Sequence, residues 1–190
     1  MWLLPSLRRP ASLERFFAAY RATGGSTPGM VLIADEDYRN NAETYEKITA
    51  EIPAGWFIRT TGKAITQGDK VREVWDEVKN CAWLGLLGDD CVPETPNWDR
   101  RLVASLDRNL IVSCDDGWQA PRRVANCWVI SGELVRAVGY FFPPSLHHLF
   151  IDDVWETIGR EGACWRCDMS VRVAHRNVLR GAAPVDETHR

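Results

Sequence analysis

Along the chain, short continuous apolar runs alternate with helically spaced apolar stripes. Trp2-Leu3-Leu4 opens as a short buried-type strand, and Pro5 to Pro10 follows as a basic, proline-bounded loop. Leu13, Phe16, Phe17 and Tyr20 recur at the i, i+3, i+4, i+7 spacing of an amphipathic helix that Ser12 is placed to cap and Gly24-Gly25 to end. Met30 to Ala34 reads as a strand covered on both faces, and it delivers Asp35, Glu36 and Asp37 at its carboxyl end. Tyr45, Ile48 and Ile52 mark a second helix, Trp56 to Ile58 a short strand, and Val71, Val74, Trp75 and Val78 a third helix. That helix leads into the apolar run from Trp83, which stops abruptly at Asp89-Asp90, with Pro93 three residues on.

The order β-α-β-α-β-α-β predicts a doubly wound, mostly parallel sheet in which strands carry acids to the ligand edge. Past Asp90 the rhythm changes. Trp98 to Leu106 predicts a short helix, Ile111 to Cys114 a strand, and Arg122 to Ile130 a mostly apolar strand. Ser131 caps a helix containing Leu134, Val135 and Val138, which Gly139 closes. Phe141 to His148 is an aromatic loop with two prolines and two histidines, Ile151 opens a helix with Asp152-Asp153 in its first turn, and Met169 to His175 alternates as a strand. The 190 residues suffice for one well-buried domain and are short for two.

Composition narrows the classes. Apolar residues at 45% and charged residues at 26% are those of a globular domain, which sets aside disorder and fibrous repeats. A net charge of −3 argues against a wide nucleic-acid-gripping face, leaving only the short pairs Arg8-Arg9, Arg100-Arg101 and Arg122-Arg123 as local basic spots. No window approaches a membrane span, and the start lacks the apolar core of a signal peptide, so a cytoplasmic protein with reduced thiols is expected. The six cysteines read as small core residues, although Cys164-Trp-Arg-Cys167 has the spacing of half a zinc site without a second half. The nine tryptophans are either core or stacking platforms for bases and sugars.

Neither Gly-x-Gly-x-x-Gly nor a Gly-Lys-Ser/Thr loop occurs, which weakens dehydrogenase and phosphate-loop hydrolase readings. What stands out is acidic: Asp89-Asp90 after the fourth strand, Asp152-Asp153 at a helix start, and His175 at a strand end. Carboxylate plus imidazole suits Mn²⁺ somewhat better than Mg²⁺, and such a cation neutralises charge on a departing diphosphate. On their own, His175 also reads as a strand-end histidine bonded to backbone, and the helix acids as partners of the macrodipole.

The ordered set Pro5, Arg8-Arg9-Pro10, Gly88-Asp-Asp-Cys-Val-Pro93, Val129-Ile-Ser131, Val138-Gly-Tyr140, Asp152-Asp-Val-Trp155 and His175 resembles GT-A fold glycosyltransferases, in particular the small, family-2-like inverting type. The resemblance covers most of the chain as a series of individually weak motifs. It implies a single GT-A-like domain, with 1–93 binding a nucleotide-sugar donor and 94–190 the acceptor. It implies transfer of a sugar to a hydroxyl with a divalent cation, Mn²⁺ or Mg²⁺, held by Asp90 and His175. Pro5, Arg8, Arg9, Asp35, Asp37, Lys70 within Gly68-Asp69-Lys70, and Asp89 become donor contacts. Asp153 becomes the base, with Asp152 beside it. The family's Asp-x-Asp triplet reads Gly88-Asp89-Asp90 here, which puts metal use in question. The acceptor stays open between a glycan, a protein, a small molecule and a hydroxylated DNA base. Two other classes stand beside this one: a nucleotidyltransferase-like enzyme, against which the missing glycine-rich basic first loop counts, and a noncatalytic nucleotide-sugar-binding module.

Overall fold

The protein is represented by a computed structural model that describes residues 1–64, 66–107, 110–121, 123, 126–148 and 150–176. The strands are β1 Trp2–Pro5, β2 Gly29–Ile33, β3 Trp56–Thr60, β4 Trp83–Leu87, β5 Cys91–Pro93, β6 Ile111–Asp115, β7 Cys127–Ser131 and β8 Trp165–His175. The helices are α1 Pro10–Ala22, α2 Asp35–Asn40, α3 Ala42–Glu51, α4 Gln67–Glu73, α5 Trp75–Val78, α6 Trp98–Ala104, α7 Gly132–Val138 and α8 Ile151–Glu161.

The strands form one sheet in the order β3-β2-β1-β4-β7-β6-β8-β5. β1 to β4 are parallel, β7 lies antiparallel between β4 and β6, and β8 runs parallel to β6 with β5 antiparallel at the edge. The mostly parallel α/β sheet expected from the sequence is therefore present, and β1, β4, β6 and β8 all end at one rim.

Strand alternation builds a core on each face. Trp2, Leu4, Val31 and Ile33 pack with Leu13, Phe16, Phe17 and Tyr20 of α1, with Tyr45 and Ile48 of α3, and with Trp98 and Leu102 of α6. Leu3, Met30, Leu32, Leu84 and Leu86 pack instead with Val71 and Val74 around α4, Val135 of α7 and Trp155 of α8. Five of the tryptophans, Trp2, Trp56, Trp98, Trp128 and Trp155, are buried. All six cysteines are free thiols. Among the described residues no helix is long and apolar enough to cross a membrane.

Several expectations need correction. α1 starts at Pro10, whose locked φ suits a first helical turn, so Ser12 lies inside the helix and its hydroxyl accepts from Arg15 at 3.0 Å instead of capping. The acids Asp35 to Asp37 that follow β2 form the first turn of α2, a helix that no apolar spacing marked. The third helix is two short ones, with Val74 leaving helical geometry between them. β7 begins at Cys127, and Arg122, Val124 and Ala125 of the longer strand expected there lie outside the described residues. β5, only three residues long and ending in proline, gave no periodic signal; proline is tolerated because the strand is an edge. Ser131 and Gly139 cap α7 as expected, with Ser131 Oγ accepting from the Leu134 N–H at 3.2 Å and Gly139 at φ +89°.

Gly85 is where close approach demands a missing side chain. A Cβ there would stand 2.3 Å from the Trp2 ring, which lies across β4 from the adjacent strand. Gly85→Ala is expected to destabilise the fold by about 1–3 kcal/mol through overpacking of the Trp2 indole, measured as a drop in the urea midpoint with unchanged slope.

Candidate active site

Because β1, β4, β6 and β8 share a direction, the segments leaving them collect at one rim: Ser6 to Arg9, Gly88 to Asp90, Asp116 to Gln119, and His175 itself. Antiparallel β7 enters from the same rim, which adds Asn126. These groups and the first turn of α8 enclose a cleft of about 460 Å³.

At one end lies a buried charge network. Asp89 is 7% exposed; its Oδ2 accepts from Ser6 Oγ at 2.8 Å and its Oδ1 from Arg9 Nη1 at 2.9 Å. Burial raises its pKa, opposed first by the Arg9 charge. Lys70 is 1% exposed and donates from Nζ to the Ser6 carbonyl. Burial lowers its pKa from 10.5 to about 8, with Asp37 and Asp89 pulling the other way. Of the expected donor contacts, Pro5, Arg9, Lys70 and Asp89 line the cleft.

Arg8, Asp35 and Asp37 lie outside it. Arg8 adopts φ +54° and its N–H donates to Asp37 Oδ2 at 2.6 Å. Buried Asp37 also accepts from Tyr45 Oη at 3.2 Å and Asn41 Nδ2 at 3.0 Å, so its oxygens fasten the first loop to α2 and α3. Asp35 is half-buried, with its N–H bonded to the Gly62 carbonyl.

Mid-cleft, β5 pairs with β8 in the register Cys91↔His175, which sets the imidazole beside Asp90. His175 Nε2 is 3.1 Å from Asp90 Oδ2 and 2.7 Å from Asn126 Nδ2, and the Arg176 N–H donates to the Asp90 carbonyl at 3.0 Å. Among the described residues no cluster of three or more acidic, His or Cys groups could hold a metal. The pair alone still fits a divalent cation that draws its other ligands from phosphate oxygens and water, since one carboxylate oxygen and one ring nitrogen converge on the cleft wall.

The two helix acids separate. Asp152 lines the cleft, and burial followed by the neighbouring Asp153 charge raises its pKa. Asp153 points elsewhere, with its side chain 40% exposed and 3.5 Å from Arg123. The loop before α8 is tied back to α4. The Gly68 N–H donates to the His147 carbonyl at 2.7 Å, and Arg72 donates to the carbonyls of Pro143 and Leu146 at 3.0 and 2.7 Å. A Cβ on Gly68 would meet the Leu146 carbonyl at 2.7 Å.

Ser6, Thr66, Gln67, Trp118, Gln119 and Asn126 line the cleft without having been singled out from sequence. A signal existed for Trp118 and Gln119: Asp115-Asp116 closes an apolar strand just as Asp89-Asp90 does.

No protein-family model matches this sequence, and no curated protein is significantly similar. Solved structures are similar in fold. The mannosyltransferase PcManGT from Pyrobaculum calidifontis, in complex with GDP-Man and Mn²⁺, has a TM-score of 0.69 at 11% identity over 93% of this chain and 56% of its own. The 1–349 segment of TarS from S. aureus has a TM-score of 0.65 at 9% identity, covering 99% of this chain and 67% of that one. The 4-diphosphocytidyl-2C-methyl-D-erythritol synthase from Anaerococcus prevotii has a TM-score of 0.58 at 8% identity, over 92% and 86%. This chain thus spans just over half the length of the mannosyltransferase. The fold is GT-A, as the sequence motifs implied.

The buried lysine has a measurable signature. A lysine with a depressed folded pKa binds its proton less tightly in the folded than in the unfolded chain, so unfolding takes up a proton between pH 8 and 10.5. Lys70 should therefore make stability rise with pH from about 8 towards 10. Denaturant titrations across that range should show this rise in the difference between the wild type and Lys70→Met.

Proposed function

We propose that the protein transfers a glycosyl group from a nucleotide sugar to an acceptor hydroxyl, with inversion. The observation that carries this reading is the assembly of the Asp90–His175 pair, the Asp89–Arg9–Lys70 network and Asp152 in one cleft. The likeness in fold to a mannosyltransferase bound to GDP-Man and Mn²⁺ supports it. Residues 1–93 form the donor half and 94–190 the acceptor half; of the latter, 177–190 lie outside the described residues.

On this reading Pro5, Ser6 and Arg9 flank the nucleotide. Asp89 and Lys70 act from beneath, holding Arg9 and the Ser6 backbone in place so that the donor meets a preorganised wall. Arg8, Asp35 and Asp37 support that wall from behind and do not touch the donor. Asp90 and His175 hold Mn²⁺ or Mg²⁺, and the cation, when bound, neutralises charge gathering on the leaving diphosphate.

Asp152 is the base, a role that passes to it from Asp153 because Asp152 faces the cleft. Its carboxylate takes the acceptor hydroxyl proton as the oxygen attacks the anomeric carbon, and the bond to phosphate breaks with its electron pair leaving on the diphosphate. A raised pKa strengthens a carboxylate for this task.

The similarity to the diphosphocytidyl-methylerythritol synthase favours a second reading, transfer of a nucleotidyl group from a nucleoside triphosphate with release of pyrophosphate. Incubation with the four nucleoside triphosphates and candidate sugar phosphates separates the two; pyrophosphate release would displace glycosyl transfer.

Three variants test the roles. Asp90→Ala is expected to abolish the strengthening of nucleoside diphosphate binding by Mn²⁺ in calorimetry, and equal affinity in Mn²⁺ and in chelator for the wild type would refute the cation site. Asp152→Asn is expected to bind donor normally and lose about 10²–10⁴-fold in transfer rate, with Asp153→Asn close to wild type.

A further inference from the structure

The cleft has a second wall that donor binding leaves unexplained. Trp118, 40% exposed, stands on it with its ring 5.8 Å from the His175 imidazole. The backbone that carries it is held firmly. Asp116, 2% exposed, accepts at Oδ1 from the N–H groups of Trp118, Gln119 and Ala120 at 2.8, 2.7 and 3.1 Å, and Gly117 turns the chain at φ +73°. A large apolar ring exposed on a cleft wall and carried by a well-tied backbone turn is a platform for a ligand face. Beside it, Gln119 borders the same cleft, and its Oε1 is buried with no hydrogen-bond partner among the described residues. A buried acceptor without a partner costs free energy until an O–H or N–H reaches it. Phe150, 62% exposed, adds a second ring at the left-handed position before α8, two residues from Asp152.

We infer that Trp118 and Gln119 form the acceptor subsite and that the acceptor is a neutral pyranose, an inference that rests on the glycosyl-transfer reading. A pyranose has a face of C–H groups, slightly positive, that suits the negative face of an indole, and a rim of hydroxyls that donate to Gln119 Oε1 and Asp152. Charge selects against the polyanionic alternative. The chain is net −3; of the charges lining the cleft, Arg9 is paired with Asp89 and Lys70 is buried against the Ser6 carbonyl, which leaves Asp90 and Asp152 on the side of Trp118 and Gln119, and a diphosphate donor adds further negative charge. A nucleobase would stack on Trp118 equally well, but within DNA it brings phosphates with it.

Saturation-transfer difference NMR with the methyl glycosides of glucose, galactose and mannose, with UDP or GDP and Mn²⁺ present, tests the subsite without needing turnover. At least one glycoside is expected to bind, with transfer strongest on the C–H protons of one ring face. Trp118→Ala should weaken it about tenfold and Trp118→Phe far less, as for loss and retention of a stacking ring. Gln119→Leu should weaken it severalfold, and nucleoside diphosphate affinity should be unchanged in all three. The inference is overturned if no glycoside binds, if Trp118→Ala binds as wild type, or if an oligonucleotide containing hydroxymethyluracil binds through Trp118 where the glycosides do not. Failure of the underlying reading looks different: glycosides would bind through Trp118 while no nucleotide sugar is consumed, with acceptor or with water.

Discussion

Three residues of antiparallel pairing hold the site together. Cys91, Val92 and Pro93 pair with His175, Ala174 and Val173, and that register alone puts the imidazole against Asp90. Because side chains alternate along a strand, a slip of one residue would turn His175 out of the cleft and Val173 out of the core together. Burial resists the slip: Val171 and Val173 are fully buried and His175 is 6% exposed, all on one face. Backbone bonds lock both ends of the pairing, from Arg176 to the Asp90 carbonyl at 3.0 Å and from Glu94 and Thr95 to the Arg172 carbonyl at 3.1 and 3.2 Å. A chain segment near the end of the fold thus completes a site begun after its fourth strand.

The end of the cleft at Asp89 depends on a different principle. Asp89, Lys70 and Asp37 are buried, and an unpaired buried charge would be prohibitively costly. Each is compensated by another part of the same network: Asp89 by Arg9 and Ser6, Lys70 by the Ser6 carbonyl and the fields of Asp37 and Asp89, and Asp37 by Arg8, Asn41 and Tyr45. Such a network fixes the Pro5 to Arg9 backbone before any ligand arrives, because moving one member leaves the others unsatisfied.

Much of this was legible in the sequence. Helix stripes such as Leu13, Phe16, Phe17 and Tyr20 name the residues that α1 buries, and the acids after β4, expected at a sheet rim, line the cleft there. What escaped is of two kinds. β5 is too short to show a period, so the contact between Asp90 and His175 had no local signature even though both residues did. Asp152 and Asp153 are adjacent in a first helical turn, and periodicity cannot say which of two neighbours, about 100° apart around the axis, faces a cleft. Asp37 shows the opposite case: it looked like a ligand contact because it follows a strand, yet Arg8 and Tyr45 occupy its Oδ2 and Asn41 its Oδ1.

The two ends of the cleft are mechanically joined through α4. Lys70 on this helix holds the Pro5 to Arg9 loop at Ser6, while Gly68 and Arg72, two residues to either side, grip the backbone of the loop before α8. Gly68 permits this by lacking a Cβ, which would collide with the Leu146 and His147 carbonyls at 2.7 and 2.9 Å. That loop runs on into the helix turn bearing Asp152. A shift of α4 by a fraction of an ångström therefore moves Arg9's support and Asp152's approach together, since carbonyl contacts this close transmit displacement instead of absorbing it. The seven-residue helix thus sets the spacing between the two sides of the cleft.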